Sequence, residues 1–305
     1  KAGLHFQRGN AFRDRGNLRR AIEDYKAAIS QGRMFGADKG YHHLRLGQAL
    51  FQDENLEDAR RELTRAIELD AGAKVRALQE RARLFEKMAR TGSDRERNWQ
   101  RAFADWEEVV TLQGGRDALA YLHFGDALKN HGDSGPEWKD GVDSWLRAYD
   151  LYSKAIALDD GLVLAHHGLG RVSKNLGWYM DAVAAYENAI AASPGGDIAN
   201  SLSNLAFLLA GCPDDSIREG AHAVRLAKEA LEVRNFSPVF GTDAMAAGYA
   251  EAGDFDRAVE TQRAVLANPA FPKTLGKCYR QAAHERLNLY LEGLPFRDEF
   301  LLPCF

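Results

Sequence analysis

The sequence predicts an all-α fold in which antiparallel helix pairs stack side by side into a solenoid. Three observations predict it. Small residues recur at one place in each helical segment, large apolar residues follow them at helical spacing, and glycines punctuate the turns. The alanines at the small position of each second helix are spaced 34 to 46 residues apart, and they are Ala21, Ala59, Ala102, Ala148, Ala182, Ala223 and Ala258.

The clearest unit is Leu164–Pro194, where each residue type has a physical reason. Gly170 and Ala182 are small because the two antiparallel helices cross most closely there, and a larger side chain would force them apart. Gly177 marks the turn between the helices. Pro194 ends the second helix because it cannot donate the next backbone hydrogen bond. The complete order is His166, Leu169, Gly170, Ser173, Gly177, Ala182, Tyr186, Ala189 and Pro194.

This order of residues resembles the tetratricopeptide repeat (TPR), in its bacterial type, which is a helix–turn–helix of about 34 residues. The resemblance implies an all-α, right-handed superhelix of about seven repeats, whose first helices line a concave groove. Residues 1–305 would then form a single solenoid domain. The predicted repeats span residues 2–35, 40–72, 75–113, 118–160, 163–195, 199–235 and 239–270, followed by a capping helix at 273–292 and a tail at 293–305.

The capping helix is predicted from one apolar side that would cover the last repeat. Charged residues, among them Arg280, Glu285 and Arg286, are expected on its outer, hydrated side. The apolar side comprises Leu275, Ala282, Ala283, Leu287 and Tyr290.

Three units exceed the usual repeat length at the turn between their two helices. The extra residues fall within Met88–Trp99, Asn130–Leu146 and Gly211–Asp215. Insertions in repeat proteins map to one face, which is often a binding face. Trp138 is therefore a candidate partner contact on an edge loop, with packing of its ring against the neighbouring turn as the alternative.

Composition excludes several classes of function. The formal net charge of −4 argues against a nucleic-acid binder, although residues 1–110 are net positive and residues 111–305 net negative. No run of apolar residues approaches the length of a membrane span, so we expect no membrane insertion. Cys212, Cys278 and Cys304 are too far apart for a metal knuckle, and free thiols favour a cytoplasmic compartment.

The sequence contains no constellation that predicts catalysis, a cofactor or a metal. It lacks a phosphate loop, a nucleophile elbow and the metalloprotease motif. His5, His43 and His166 occupy the position where the repeat has a bulky residue, so they are predicted to pack. We therefore expect a protein that is not an enzyme.

The remaining candidate site is the groove, where first-helix residues of the fourth and fifth units form a polar, net-positive patch. Such a patch suits a carboxylate or an acidic segment, with a solvated helix face as the alternative. Its residues are His123, Asp126, Lys129, Asn130, His167, Arg171, Lys174 and Asn175. A weaker patch in the first three units comprises Asn10, Arg13, Arg45 and Arg83.

The resemblance implies a non-catalytic scaffold that binds a protein or peptide segment in the concave groove. The alternative is the sensor or substrate-recruiting region of a larger multidomain enzyme. The first residue is Lys rather than Met, which keeps that alternative open.

Overall fold

The computed structural model describes residues 2–31, 37–92, 94–135, 138–193, 198–233, 236–269, 271 and 276–298. All regular secondary structure in these residues is helical, as the sequence predicts. The chain divides into two compact units, Lys1–Ala127 (unit 1) and Leu128–Phe305 (unit 2). That the whole chain is one solenoid stays a prediction.

Unit 1 consists of helices, and consecutive helices pack against each other in pairs. Its helices are α1 (Ala2–Asp14), α2 (Leu18–Gln31), α3 (Ala37–Gln52), α4 (Leu56–Leu69), α5 (Ala71–Thr91), α6 (Arg95–Leu112) and most of α7 (Ala118–Gly132). A buried apolar core runs through the helices from α1 to α6 and includes Tyr25, Leu44, Leu63 and Phe85.

Unit 2 continues with the end of α7 and the same alternation of helices. Its further helices are α8 (Trp138–Leu158), α9 (Val163–Asn175), α10 (Tyr179–Ala191), α11 (Ala199–Gly211), α12 (Gly220–Glu232), α13 (Pro238–Glu251), α14 (Phe255–Ala267) and α15 (Gly276–Leu291), with a short 3-10 helix at Asp215–Ile217. Tyr186, Leu202 and Leu205 belong to one of its apolar clusters.

Close helix crossings occur where the sequence has its small residues. A Cβ atom on Gly170 would lie 2.7 Å from the ring of Tyr186, which is buried. The same relation joins Gly9 to Tyr25, at 2.8 Å. First and second helices of these pairs therefore approach closely enough to exclude any side chain at the glycine.

Gly177 forms the predicted turn between α9 and α10. Its φ angle of +78° lies in the left-handed region, which favours glycine over residues that carry a Cβ. The backbone N–H of Gly177 donates to the carbonyl of Lys174 at 3.0 Å, which closes the end of α9.

Two of the three insertions lengthen helices, whereas we expected them to emerge at the turn. Helices α5 and α8 are each 21 residues long, against 13 residues for α9 and for α10. The third insertion forms a turn with the 3-10 helix. Helical extension is favourable here because it satisfies backbone groups and buries Trp99 and Trp145.

Helix α15 packs on α14 and α13. Tyr279 and Ala283 share an apolar cluster with Val265, and Tyr290 shares another with Ala258. That α15 caps the repeats stays a prediction. The expectation that Arg286 faces solvent is wrong. Its side chain is 8% exposed, and its guanidinium pairs with Asp243 of α13, whose side chain is 0% exposed. A charge that is matched by a buried carboxylate can lie inside, which a pattern of apolar residues does not reveal.

Candidate functional site

Helix α9 presents three of the predicted groove side chains on one face. Arg171, Lys174 and Asn175 are spaced at i, i+3 and i+4, so they project from the same side of the helix. All three are partly buried. We call this set the α9 face.

Asp133, in the turn that follows α7, binds two members of the α9 face. Its Oδ2 accepts a hydrogen bond from Arg171 Nη2 at 2.9 Å, and its Oδ1 accepts one from Asn175 Nδ2 at 3.0 Å. Trp145 Nε1 also donates to Oδ1, at 3.0 Å. The Asp133 side chain is 12% exposed. Three donors from two helices thus hold a largely buried carboxylate.

Lys174 binds a second carboxylate from far along the chain. Its Nζ lies 3.0 Å from Oδ2 of Asp298, which is 124 residues away in sequence. The two side chains are 26% and 32% exposed, so this pair is partly shielded from solvent. Every member of the α9 face thus donates to a carboxylate of its own chain.

Lys129 and Asn130 share the Lys–Asn order of Lys174 and Asn175 but differ in their surroundings. Lys129 is only 9% exposed, and its Nζ donates to Oδ1 of Asn130 at 2.8 Å. The equivalent positions of successive repeats therefore hold one buried ammonium and one that reaches a distant carboxylate.

His167 of α9 contacts residues of α10 and α11. Its Nδ1 lies 3.0 Å from Oγ of Ser201, and its ring centroid lies 5.7 Å from that of Tyr186. Burial, and then the charges of Arg171 and Lys129, lower the pKa of His167 to about 4. The ring is neutral at pH 7 and adds no positive charge near the α9 face.

His123 and Asp126 belong to unit 1, on the first part of α7. The ring of His123 lies 5.6 Å from that of Trp106. Burial, and then the charge of Arg83, lower the pKa of His123. Asp126 is partly buried, and its negative charge opposes this lowering of the His123 pKa without reversing it.

The weaker patch, also in unit 1, includes three side chains that are engaged with close neighbours. Asn10 accepts a hydrogen bond from the Tyr25 hydroxyl at 2.8 Å. Arg13 pairs with the adjacent Asp14, and Arg45 donates to the Tyr41 hydroxyl at 2.7 Å. Arg83 is exposed on α5. Trp138 begins α8, and its side chain lies outside the described residues.

Asp133 and Asp298 are the site residues that the sequence analysis missed. Asp133 lies in an insertion with the sequence His131-Gly-Asp-Ser-Gly-Pro, and Asp298 lies in the tail, so neither occupies a position of the repeat. Their negative charge, set against the cations predicted on α9, is the signal that could have found them.

In the part of the chain that the structure describes, no three His, Cys, Asp or Glu side chains are grouped to hold a metal ion. His43 and His166 are buried, as predicted. The Nδ1–H of His43 donates to a carboxylate oxygen of Glu62 at 2.6 Å, and the Nε2–H of His166 donates to the Asp160 carbonyl at 2.9 Å. No helix among the described residues is both long and apolar enough to cross a bilayer.

Comparisons with known proteins support the fold. A tetratricopeptide-repeat family model matches residues 6–74. A tetratricopeptide repeat protein from Parabacteroides merdae ATCC 43184 is 15% identical, covering 95% of this chain and 98% of that one with a TM-score of 0.63. The assembly chaperone of RpL4 (Acl4, residues 1–338) is 14% identical over 85% of this chain and 99% of its own, with a TM-score of 0.57. No curated protein sequence matches the chain.

Proposed function

We propose that this chain, a tetratricopeptide-repeat protein, is a non-catalytic scaffold that binds an acidic segment of a protein or peptide on the first helices of its repeats. The matched family model and the likeness to solved repeat proteins support the scaffold. One of those, Acl4, is an assembly chaperone of RpL4, which is a protein-binding role on the same type of fold.

One observation carries the acidic specificity: the α9 face already holds two carboxylates. Arg171 and Asn175 hold Asp133, and Lys174 holds Asp298, with donor–acceptor distances of 2.9–3.0 Å. Charge-assisted hydrogen bonds of this length are the stronger kind. A surface whose donors are arranged for internal carboxylates is also arranged for those of a partner.

The two carboxylates differ in how readily a partner could replace them. Asp133 also accepts a hydrogen bond from Trp145 and is the more buried of the two. We therefore expect it to stay in place when a partner binds. Asp298 is more exposed and is held by Lys174 through a single side-chain bond. Lys174 is therefore the cation that a partner carboxylate is proposed to reach.

Affinity capture with charge-reversed variants tests the proposal. The full chain is used as bait, and proteins retained by the wild type are compared with those retained by Arg171→Glu/Lys174→Glu. The control is Arg60→Glu/Arg61→Glu on the second helix α4, where each arginine pairs with an acidic residue one turn earlier. Circular dichroism verifies that both variants fold.

We expect the α9 variant to lose the partner and the α4 variant to keep it. Removing two cations and adding two anions is expected to weaken binding at least about tenfold, because a charge-assisted bond is worth about 1.5–3 kcal/mol. Equal retention by both variants would contradict the proposed site.

A further inference from the structure

The segment Leu294–Asp298, here called the tail segment, has no regular secondary structure and lies against other parts of unit 2. Gly293, with a φ of +72°, ends α15, and the N–H of Leu294 donates to the Leu289 carbonyl at 2.9 Å. This left-handed turn directs the chain away from the axis of α15. The tail segment then contacts residues of α9, α11 and α13.

Backbone and side chain of Asp298 make separate contacts. Its N–H donates to the carbonyl of Gly211 at 2.7 Å, at the end of α11 where a helix leaves its last carbonyls unpaired. Its carboxylate pairs with Lys174 of α9. One residue of the tail segment thus links two first helices.

Phe296 fills a space that a side chain would otherwise occupy. A Cβ on Gly211 would lie 2.7 Å from the Phe296 ring, so the glycine admits the ring directly onto the α11 backbone. The guanidinium of Arg286 lies 5.5 Å from the centre of the same ring, within reach of a cation–π interaction.

Arg297 extends the contact to α13. Its Nη1 lies 2.6 Å from Oε2 of Glu251, the last residue of that helix, which also pairs with Arg218 at 3.0 Å. An aromatic ring, a cation and an anion in consecutive positions therefore each meet a matching group.

We infer that the tail segment occupies in cis the surface on which the partner docks, and that this partner is an extended segment with an aromatic residue two places before an acidic one. The inference rests on the proposed function, since it names the occupant of the same site. The partner gains the contacts of Phe296 and Asp298 by displacing them.

Tethering makes the tail segment an effective competitor. Two residues separate α15 from Leu294, and a short tether gives an effective concentration on the order of millimolar. A partner supplied in solution therefore binds only to the fraction of chains whose tail segment has left, which weakens its apparent affinity. Loosening the tail segment should strengthen binding in trans without any change to the surface.

A labelled peptide of the chain's own sequence tests this. The probe is Glu292–Asp298 with a fluorophore at its N-terminus, titrated with the full chain while fluorescence anisotropy is recorded. Wild type is compared with Phe296→Ala/Asp298→Ala, which removes the ring and the carboxylate of the tail segment and leaves the Arg297–Glu251 pair in place. Glu292→Ala, at an exposed position just before it, is the matched control.

The double variant is expected to bind the peptide at least about tenfold more tightly than the wild type and the Glu292→Ala control. Adding Lys174→Glu to the double variant should abolish that gain, and a peptide with Ala in place of its Phe and Asp should not bind. Equal binding by wild type and double variant, or no binding by either, overturns the inference.

Failure here is distinguishable from failure of the proposed function. Suppose that capture of a cellular partner depends on Arg171 and Lys174, but the double variant binds the peptide no more tightly than the wild type. Only the role of the tail segment is then wrong. If the double variant binds the peptide more tightly but the charge-reversed variant retains the cellular partner, the tail contact stands and the acidic-partner proposal fails.

Discussion

The ring of Tyr186 occupies the space where residue 170 would carry a side chain. A Cβ on Gly170 would lie 2.7 Å from Cε1 of that ring, and Tyr186 is almost fully buried. The helices α9 and α10 consequently cross at a distance that only glycine permits. This crossing also fixes the position from which Arg171 and Lys174 project.

Gly170→Ala is expected to destabilise the chain by about 1–3 kcal/mol through overpacking. The ring has no room to move, so the clash outweighs the better helix propensity of alanine, which is about 1 kcal/mol. Urea unfolding measures the difference. Gly3→Ala is the control, because a Cβ there would meet no described atom within 4 Å apart from its chain neighbours and the nearby backbone of its own helix, and its midpoint should not fall. An unchanged midpoint for Gly170→Ala would show that the crossing is looser than described.

Asp243→Asn is expected to lower the free energy of unfolding by about 3–5 kcal/mol, since it leaves the buried Arg286 of α15 without its counter-charge. Asp243 also accepts a hydrogen bond from the Tyr279 hydroxyl at 2.5 Å, and the NH2 group that replaces one carboxylate oxygen in Asn cannot accept, so at least one donor of α15 loses its acceptor as well. Thermal unfolding of Arg257→Ala, which breaks an exposed pair with Asp254, supplies the comparison. Equal shifts in the two variants would argue that the buried pair does not hold α15.

His167 is expected to make stability depend on pH between about 6.5 and 4. The folded pKa is lowered to about 4, by burial and then by Arg171 and Lys129, while the unfolded chain titrates near 6.5. In this window the unfolded state binds a proton that the folded state does not. Stability attributable to His167 therefore falls as pH drops through the window, by about 3 kcal/mol, and levels off below it.

Urea unfolding of His167→Gln at pH 7 and at pH 4.5 checks this, because the variant should lose less stability on acidification than the wild type. The matched control is His284→Gln, at an exposed position of α15, which should follow the wild type. A variant that loses as much stability as the wild type over this range would mean that His167 is protonated in the folded chain.

The repeat pattern in the sequence predicted where the helices pair, because a close crossing restricts residue size locally. Gly170 and Gly177 have the packing and backbone angle that their positions in the pattern predicted. The shared face of Arg171, Lys174 and Asn175 was likewise predictable, since helical spacing alone determines it.

Pairings between distant segments were not predictable in this way. Asp298 reaches Lys174 only because the turn at Gly293 and the packing of Phe296 on Gly211 direct the tail, and neither belongs to a periodic pattern. Arg286 was misplaced for a related reason. Its burial depends on Asp243, 43 residues earlier, and not on the neighbours along its own helix.

Hydrogen exchange with and without the captured partner tests the central claim most directly. If the partner docks on the first helices of unit 2, amide protection should rise in Val163–Asn175 and Ala199–Gly211, while the second helices Tyr179–Ala191 and Gly220–Glu232 stay unchanged. Added protection confined to those second helices, with none in α9 and α11, would contradict the account.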